Sequence, residues 1–216
     1  MQLPNTFLEQ TGQILATHRP EYGDNGGVTV LDTERGRFVV KAGALGAAEH
    51  RVLSAIAGEH PFVAAPLAAT ADMLLMTWLP GANLAAVRDT LSPVQLHPLV
   101  AQTAEAIRRV HGWRPDLPPT PGAHLDAIRA AGYEPDIVFA HGDYCLPNVM
   151  VDAGRVSAII DWPHAGYWDR RVDLAAAAWS IRYNLKDEDY VVTFLNAYGY
   201  KGADLAFFER LWQGLP

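Results

Sequence analysis

The chain has a single cysteine, Cys145, in 216 residues, so no disulfide can form within it and a reducing compartment, the cytoplasm, is the expectation. Cys145 itself reads as a small packing residue, because no chemistry suggested by its neighbours needs a thiol. Nowhere does an apolar run approach the ~20 residues of a membrane-spanning helix. The opening residues, MQLPNTFLEQ, also lack the basic-then-apolar pattern of a secretory leader. Clustered Lys and Arg are missing, and the formal charge of −7 argues against nucleic acid, whose phosphates demand such clusters. His97 and His111 are not accompanied by HxxxH or HExxH, so they read as core-edge or surface residues, not metal ligands. Repeats and low-complexity tracts are absent apart from the proline-rich patch RPDLPPTPG, residues 114–122. What remains is a chain that is 50% hydrophobic, long enough for one compact unit or two small lobes.

The most informative stretch is VFAHGDYCLPNVMVDAGRVSAIIDW, Val138 to Trp162. Val138, Phe139 and Ala140 read as a strand end leading to His141, Gly142 and Asp143, and Pro147 breaks regular structure before Asn148. Val149 to Val151 and Val156 to Ile160 form the arms of a hairpin around the turn Asp152-Ala153-Gly154-Arg155, with Asp161 at the end of the second arm. This pattern brings Asn148 and Asp161 to one end, with Asp143 one loop away. Carboxylate and amide oxygens suit Mg²⁺, which is held by one or two protein groups while phosphates and waters fill the remaining positions. Asp143 is then available to orient an alcohol for attack on a phosphoryl group.

HGDYCLPNVMV, followed by GRVSAIIDW and DRRVDLAAA, resembles the catalytic segment of the aminoglycoside phosphotransferases, above all their 3'-phosphotransferase branch, within the protein-kinase-like superfamily. The likeness is dense over Val138 to Ala178 and looser elsewhere. It implies an α+β, protein-kinase-like two-lobed fold, with a small N-terminal antiparallel sheet and one helix, then a mainly helical C-terminal lobe. Residues 1–79 would form the nucleotide-binding lobe, and residues 80–216 the lobe carrying the catalytic loop and acceptor site. By this resemblance Asp143 is the catalytic carboxylate, Asn148 and Asp161 bind Mg²⁺, and His141 and Asp173 support the loop. A helix N-cap is the simpler role for Asp173, and the two roles are compatible.

The N-terminal region fits this scheme. Gly23 to Gly27 is a tight turn whose glycines would let backbone N–H groups approach phosphates, although its spacing is not GxGxxG. The resemblance gives Gly26 and Gly27 that nucleotide role. Lys41 ends the strand FVVK, and Glu49 lies on the helical run Ala44 to Ala57 behind it. A kinase needs such a cation on the phosphates and a carboxylate to hold it. Glu59 competes for that role but follows Gly58, past the helix end. LLMTWLPG resembles an interlobe hinge, in which the Thr77 carbonyl and the Leu79 N–H would meet adenine with Trp78 between them.

The acceptor side departs from the family. The helix after Asp173 reads DLAAAAWSIRYNL, with Trp179, Ser180 and Tyr183 where charged residues are common, and the segment 81–140 is short. Glu188, Asp189 and Glu209 are the nearest acids, while Trp162, Trp168 and Trp179 would suit a flatter alcohol. The resemblance implies an ATP- and Mg²⁺-dependent transfer to a small-molecule hydroxyl, an aminoglycoside first. Two alternatives remain: a kinase of another small alcohol or antibiotic, and a silent nucleotide-binding module. A two-metal phosphohydrolase lacks the further His and Asp ligands it would need. No nucleic acid or membrane partner is expected, and the oligomeric state is not legible.

Overall fold

In the computed structural model, residues 3–20, 27–58, 60, 62–120, 123–201 and 205–213 are described. The chain divides into two compact units, one of 1–80 with 160–163, the other of 81–159 with 164–216.

The first unit begins with α1 (Asn5–Thr11) and β1 (Ile14–His18), then the hairpin β2 (Val28–Thr33) and β3 (Gly36–Ala42), α2 (Gly46–Ile56), β4 (Pro66–Ala69) and β5 (Met73–Thr77). The strands form an antiparallel sheet in the order β1-β2-β3-β5-β4. Phe7, Leu31, Val40 and Leu75 are the buried centre of its core, from which solvent is excluded on one face of the pleat. Turn chemistry sets the β2–β3 register: the Thr33 hydroxyl donates to the Gly36 carbonyl at 2.9 Å and accepts the Arg35 N–H at 3.2 Å. Along α2, Val52, Leu53 and Ile56 recur at helical spacing and are buried, as is Glu49 one turn earlier.

The second unit opens with β6 (Ala82–Asn83) and α3 (Leu84–Val87), where the Asn83 side chain caps the helix by accepting the Ala86 N–H at 2.7 Å. The long α4 (Pro93–Val110) starts with a capping box of Ser92 and Gln95 and has proline at its first position. Next come α5 (Ala123–Ala130), β7 (Ile137–Ala140), β8 (Val149–Asp152), β9 (Arg155–Ile159) and β10 (Gly166–Asp169). Three helices finish the chain: α6 (Arg171–Leu185), α7 (Glu188–Tyr198) and α8 (Leu205–Gln213). β6, β8 and β9 form one small sheet, and β7 pairs with β10 in another. Buried alanines 175–178 line α6, which packs against α7 and α8, while α4 also packs on α7. Their small side chains let neighbouring backbones approach closely.

One detail differs from the sequence reading. The strand after the turn does not run on to Asp161: β9 stops at Ile159, and Ile160–Pro163 packs with the first unit. Just beyond, Gly166–Asp169 pairs antiparallel with Ile137–Ala140. No helix among the described residues is long and apolar enough to cross a membrane.

Candidate active site

Lys41 sits on the central strand of the first unit's sheet, opposite Val28 on one side and Leu74 on the other. Its ammonium lies 2.7 Å from Glu49 Oε2 and also pairs with Asp161 Oδ1. The Lys41 side chain is 17% exposed and that of Glu49 only 2%. Burial alone would pull the lysine's pKa down; the Glu49 and Asp161 charges outweigh it and raise it above the ordinary value. The other Glu49 oxygen accepts the Trp162 N–H at 3.1 Å, so one buried carboxylate holds both the lysine and the backbone next to Asp161. Asp161 adopts a left-handed φ of +69°, which aspartate tolerates better than most residues and which turns the chain sharply there.

Around this cluster the other expected nucleotide residues are placed as follows. Gly27 has φ +111°, and a Cβ there would collide with the Ala42 carbonyl oxygen, so the position admits only glycine. Gly26, the preceding turn from Gly23 and the competitor Glu59 lie outside the described residues. At the end of β5 the Thr77 N–H donates to Ala65 at 3.0 Å and its hydroxyl accepts the Ala65 N–H at 2.9 Å. Trp78 donates its N–H to the Arg37 carbonyl at 3.4 Å, and the Arg37 guanidinium lies 5.4 Å from its ring. These bonds fix the path into Leu79, which is half-buried.

In the second unit, the loop around Asp143 is fastened largely through its backbone. Asp173 has no exposed surface; Oδ2 accepts the His141 N–H and Oδ1 the Gly142 N–H, each at 2.8 Å. Gly142 has φ +85°, and a Cβ there would strike the His164 carbonyl oxygen. The buried His141 ring accepts the Asp143 N–H through Nδ1 at 3.3 Å. Asn148 donates its amide to the Asp143 carbonyl at 2.9 Å and to Asp143 Oδ2 at 3.3 Å, which leaves its own Oδ1 as the acceptor face. Burial foremost, and then the Asp143 charge, push the Cys145 thiol well above its usual pKa. It stays protonated and donates to Asp143 Oδ1 at 3.2 Å. The loop is anchored again where the Leu146 N–H donates to Ser180 Oγ at 2.9 Å and Tyr144 OH to the Thr103 carbonyl at 2.8 Å.

Asp173 is not the helix cap, because α6 is capped at Arg170 and Asp169 Oδ1 accepts the Arg171 N–H at 2.9 Å. The sequence reading missed His111, which is 4% exposed. Its Nε2 lies 3.0 Å from Asp173 Oδ2 and its Nδ1 2.7 Å from Tyr198 OH. Arg170 donates to that same phenol oxygen at 3.1 Å. The tautomer with its proton on Nε2 would donate to Asp173 and leave Nδ1 to accept from Tyr198. A histidine closing an apolar helix was the available signal, but its partners are 62 and 87 residues away. The lysine cluster of the first unit and the Asp143 loop of the second are each complete local assemblies.

The model of a family described as "Phosphotransferase enzyme family" matches residues 24–125 and 122–211. An aminoglycoside 3'-phosphotransferase of Niallia circulans is 45% identical over 69 residues, 32% of this chain and 26% of the relative. The chain therefore matches about a quarter of the length of the first curated relatives. Among solved structures, an aminoglycoside-3'-phosphotransferase of type VIII aligns with a TM-score of 0.72 at 20% identity, over 97% of both chains. An aminoglycoside phosphotransferase from Streptomyces rimosus, solved with ADP and streptomycin, aligns at 0.69 and 19% identity over 96% of this chain and 95% of that one. At such identities these two establish the protein-kinase-like fold expected from the sequence.

Proposed function

Because the chain belongs to the phosphotransferase enzyme family, we propose that it transfers the γ-phosphoryl group of ATP to a hydroxyl of a small molecule, an aminoglycoside being the acceptor its relatives suggest. The observation that carries this reading is the Lys41–Glu49 pair, a mostly buried ammonium held at 2.7 Å by an almost fully buried carboxylate. A buried ion pair is poor value for stability alone, but a kinase needs a fixed cation for nucleotide phosphates. Lys41 would grip those phosphates, with Gly27 lending a close backbone approach and the strand end at Thr77, Trp78 and Leu79 receiving the adenine. Residues 1–79 would thus serve the nucleotide, and residues 80–216 would carry the catalytic loop and the acceptor site.

Asp143 orients the acceptor hydroxyl and takes its proton as the acceptor oxygen bonds to phosphorus and the bridging oxygen leaves with ADP. Asn148 holds the Asp143 carboxylate in aim, while Asp173, His141 and His111 hold the loop that presents it. By the family resemblance Asn148 and Asp161 would each offer Mg²⁺ a hard oxygen, Oδ1 of Asn148, whose nitrogen turns toward Asp143, and Oδ2 of Asp161, whose other oxygen pairs with Lys41. When bound there, Mg²⁺ supplies charge neutralisation on the transferred phosphoryl group. An activity that depends on ATP would be expected in the cytoplasm.

The test pairs calorimetric titration of Mg-ATP with a coupled ADP-release screen across aminoglycosides, peptide antibiotics and sugar or amino alcohols. Acceptor-dependent ADP release is the expected result. Mg-ATP binding with no transfer to any acceptor would leave a nucleotide-binding module and overturn the reading.

A further inference from the structure

Beside α6 and α8 the second unit holds a cavity of about 420 Å³ whose lining joins Trp179 and Tyr183 to Arg182, Lys186, Asp187, Glu188 and Glu209. Its wall is aromatic. The Trp179 and Tyr183 rings lie 5.2 Å apart and 8° from parallel, and Trp212 continues the strip 5.4 Å from Trp179 at 27°. Trp179 is 37% exposed and Tyr183 59%, so two large rings are left open to solvent.

The charges around the strip are already answered. Arg182 pairs with Glu188, its Nη2 lying 3.2 Å from Oε2, and with Glu209 at 3.9 Å. Asp187 caps α7 by accepting the Asp189 N–H at 3.0 Å, and the Lys186 ammonium lies 4.5 Å from the Tyr183 ring. An ammonium-bearing group arriving here would have to compete with Arg182 for Glu188 and Glu209 and with Lys186 for the Tyr183 ring. Ring surface is what the cavity has to offer. Rings recognise flat, uncharged partners, whether an aryl group or the C–H face of a sugar.

The strip also lies on the helix that braces the catalytic loop. Ser180 Oγ accepts the Leu146 N–H at 2.9 Å, and the Ala176 carbonyl lies 3.9 Å from Cys145 Sγ, so this side of α6 faces the loop carrying Asp143. At 3.6 residues per turn, Tyr183 and Trp179 project roughly 60° and 100° around the helix from Ser180. Resting on the phosphotransferase reading above, we propose that Trp179, Tyr183 and Trp212 form an acceptor subsite that takes an uncharged flat ring, aryl or neutral sugar, and discriminates against rings bearing ammonium groups.

The experiment titrates the full chain with 4-nitrophenyl β-D-glucopyranoside, with its halves 4-nitrophenol and methyl β-D-glucopyranoside, and with kanamycin as the ammonium-rich comparison. The aryl glucoside is expected to bind more tightly than kanamycin. Trp179→Ala should weaken it about tenfold and Trp179→Phe should largely restore it, as lost and regained stacking require. Whichever half retains the Trp179 dependence identifies the ring type. No aryl glucoside binding, binding indifferent to Trp179→Ala, or tighter kanamycin binding that Glu209→Gln weakens would each overturn the subsite. So would a wild-type dimer that Trp179→Ala splits, since a second copy would then cover the strip. Trp179-dependent binding without ADP release from any acceptor supports the subsite and counts only against the reaction.

Discussion

The two units hold their functional side chains by different means. In the first, Lys41 is held by charge: two carboxylates pair with one ammonium, and the groups are side chains on separate segments. In the second, the loop carrying Asp143 is held mainly through its backbone: Asp173 and the His141 ring accept three successive N–H groups, from His141, Gly142 and Asp143, while Asn148 and Cys145 donate to the Asp143 carboxylate. Charge contacts orient a group that must answer a charged ligand, and they respond to pH. Hydrogen bonds from successive backbone N–H groups to buried acceptors fix the path of a loop.

The contrast can be broken at both ends. Asp143→Asn should retain the fold and Mg-ATP affinity while lowering acceptor-dependent ADP release by ~10²-fold or more, the scale of a positioned base. Asp173→Ala strands buried backbone donors and His111 together, and should cost about 3–5 kcal/mol of unfolding free energy by urea titration. Lys41→Met should also destabilise, because the almost fully buried Glu49 loses its partner. Adding Glu49→Gln to it should cost less than the sum of the single losses, which a double-mutant cycle reads.

A smaller effect sharpens the comparison. His111→Phe should cost about 1–3 kcal/mol and lower kcat more than the KM for ATP, with His111→Asn recovering part of both. The lysine cluster of the first unit also responds to pH. The Lys41 pKa is raised, so the stability contributed by its pairing is complete below the ordinary value of 10.5 and is lost as pH rises through the higher folded value. Thermal unfolding from pH 9 to 12 should show that loss in the wild type and not in Lys41→Met. Smallest of all, the Cys145 thiol, raised by burial, should resist iodoacetamide at pH 8 in the folded protein and react once unfolded.

Much of this was legible in the sequence because it is local. The five-residue gap from Asp143 to Asn148, the hairpin turn at Ala153 and Gly154, and the Lys41 strand followed by the Glu49 helix are short-range patterns whose partners sit nearby in the chain. Asp173 was assigned to the loop by resemblance, and its hydrogen bonds to His141 and Gly142 give that assignment a geometry. What stayed hidden depends on distant pairing. His111 meets Tyr198 only because α4 packs on α7, and Gly166–Asp169 becomes a strand only because β7 offers an edge. The Trp179 strip needed α8 to bring Trp212 alongside, which no periodicity within α6 can announce.

The most direct test of the central claim is phosphorus NMR of the products formed from Mg-ATP and the best acceptor of the screen. The account predicts ADP together with a new phosphomonoester resonance for the wild type, and neither for Asp143→Asn at equal protein and time. Equal phosphomonoester from both proteins would contradict it.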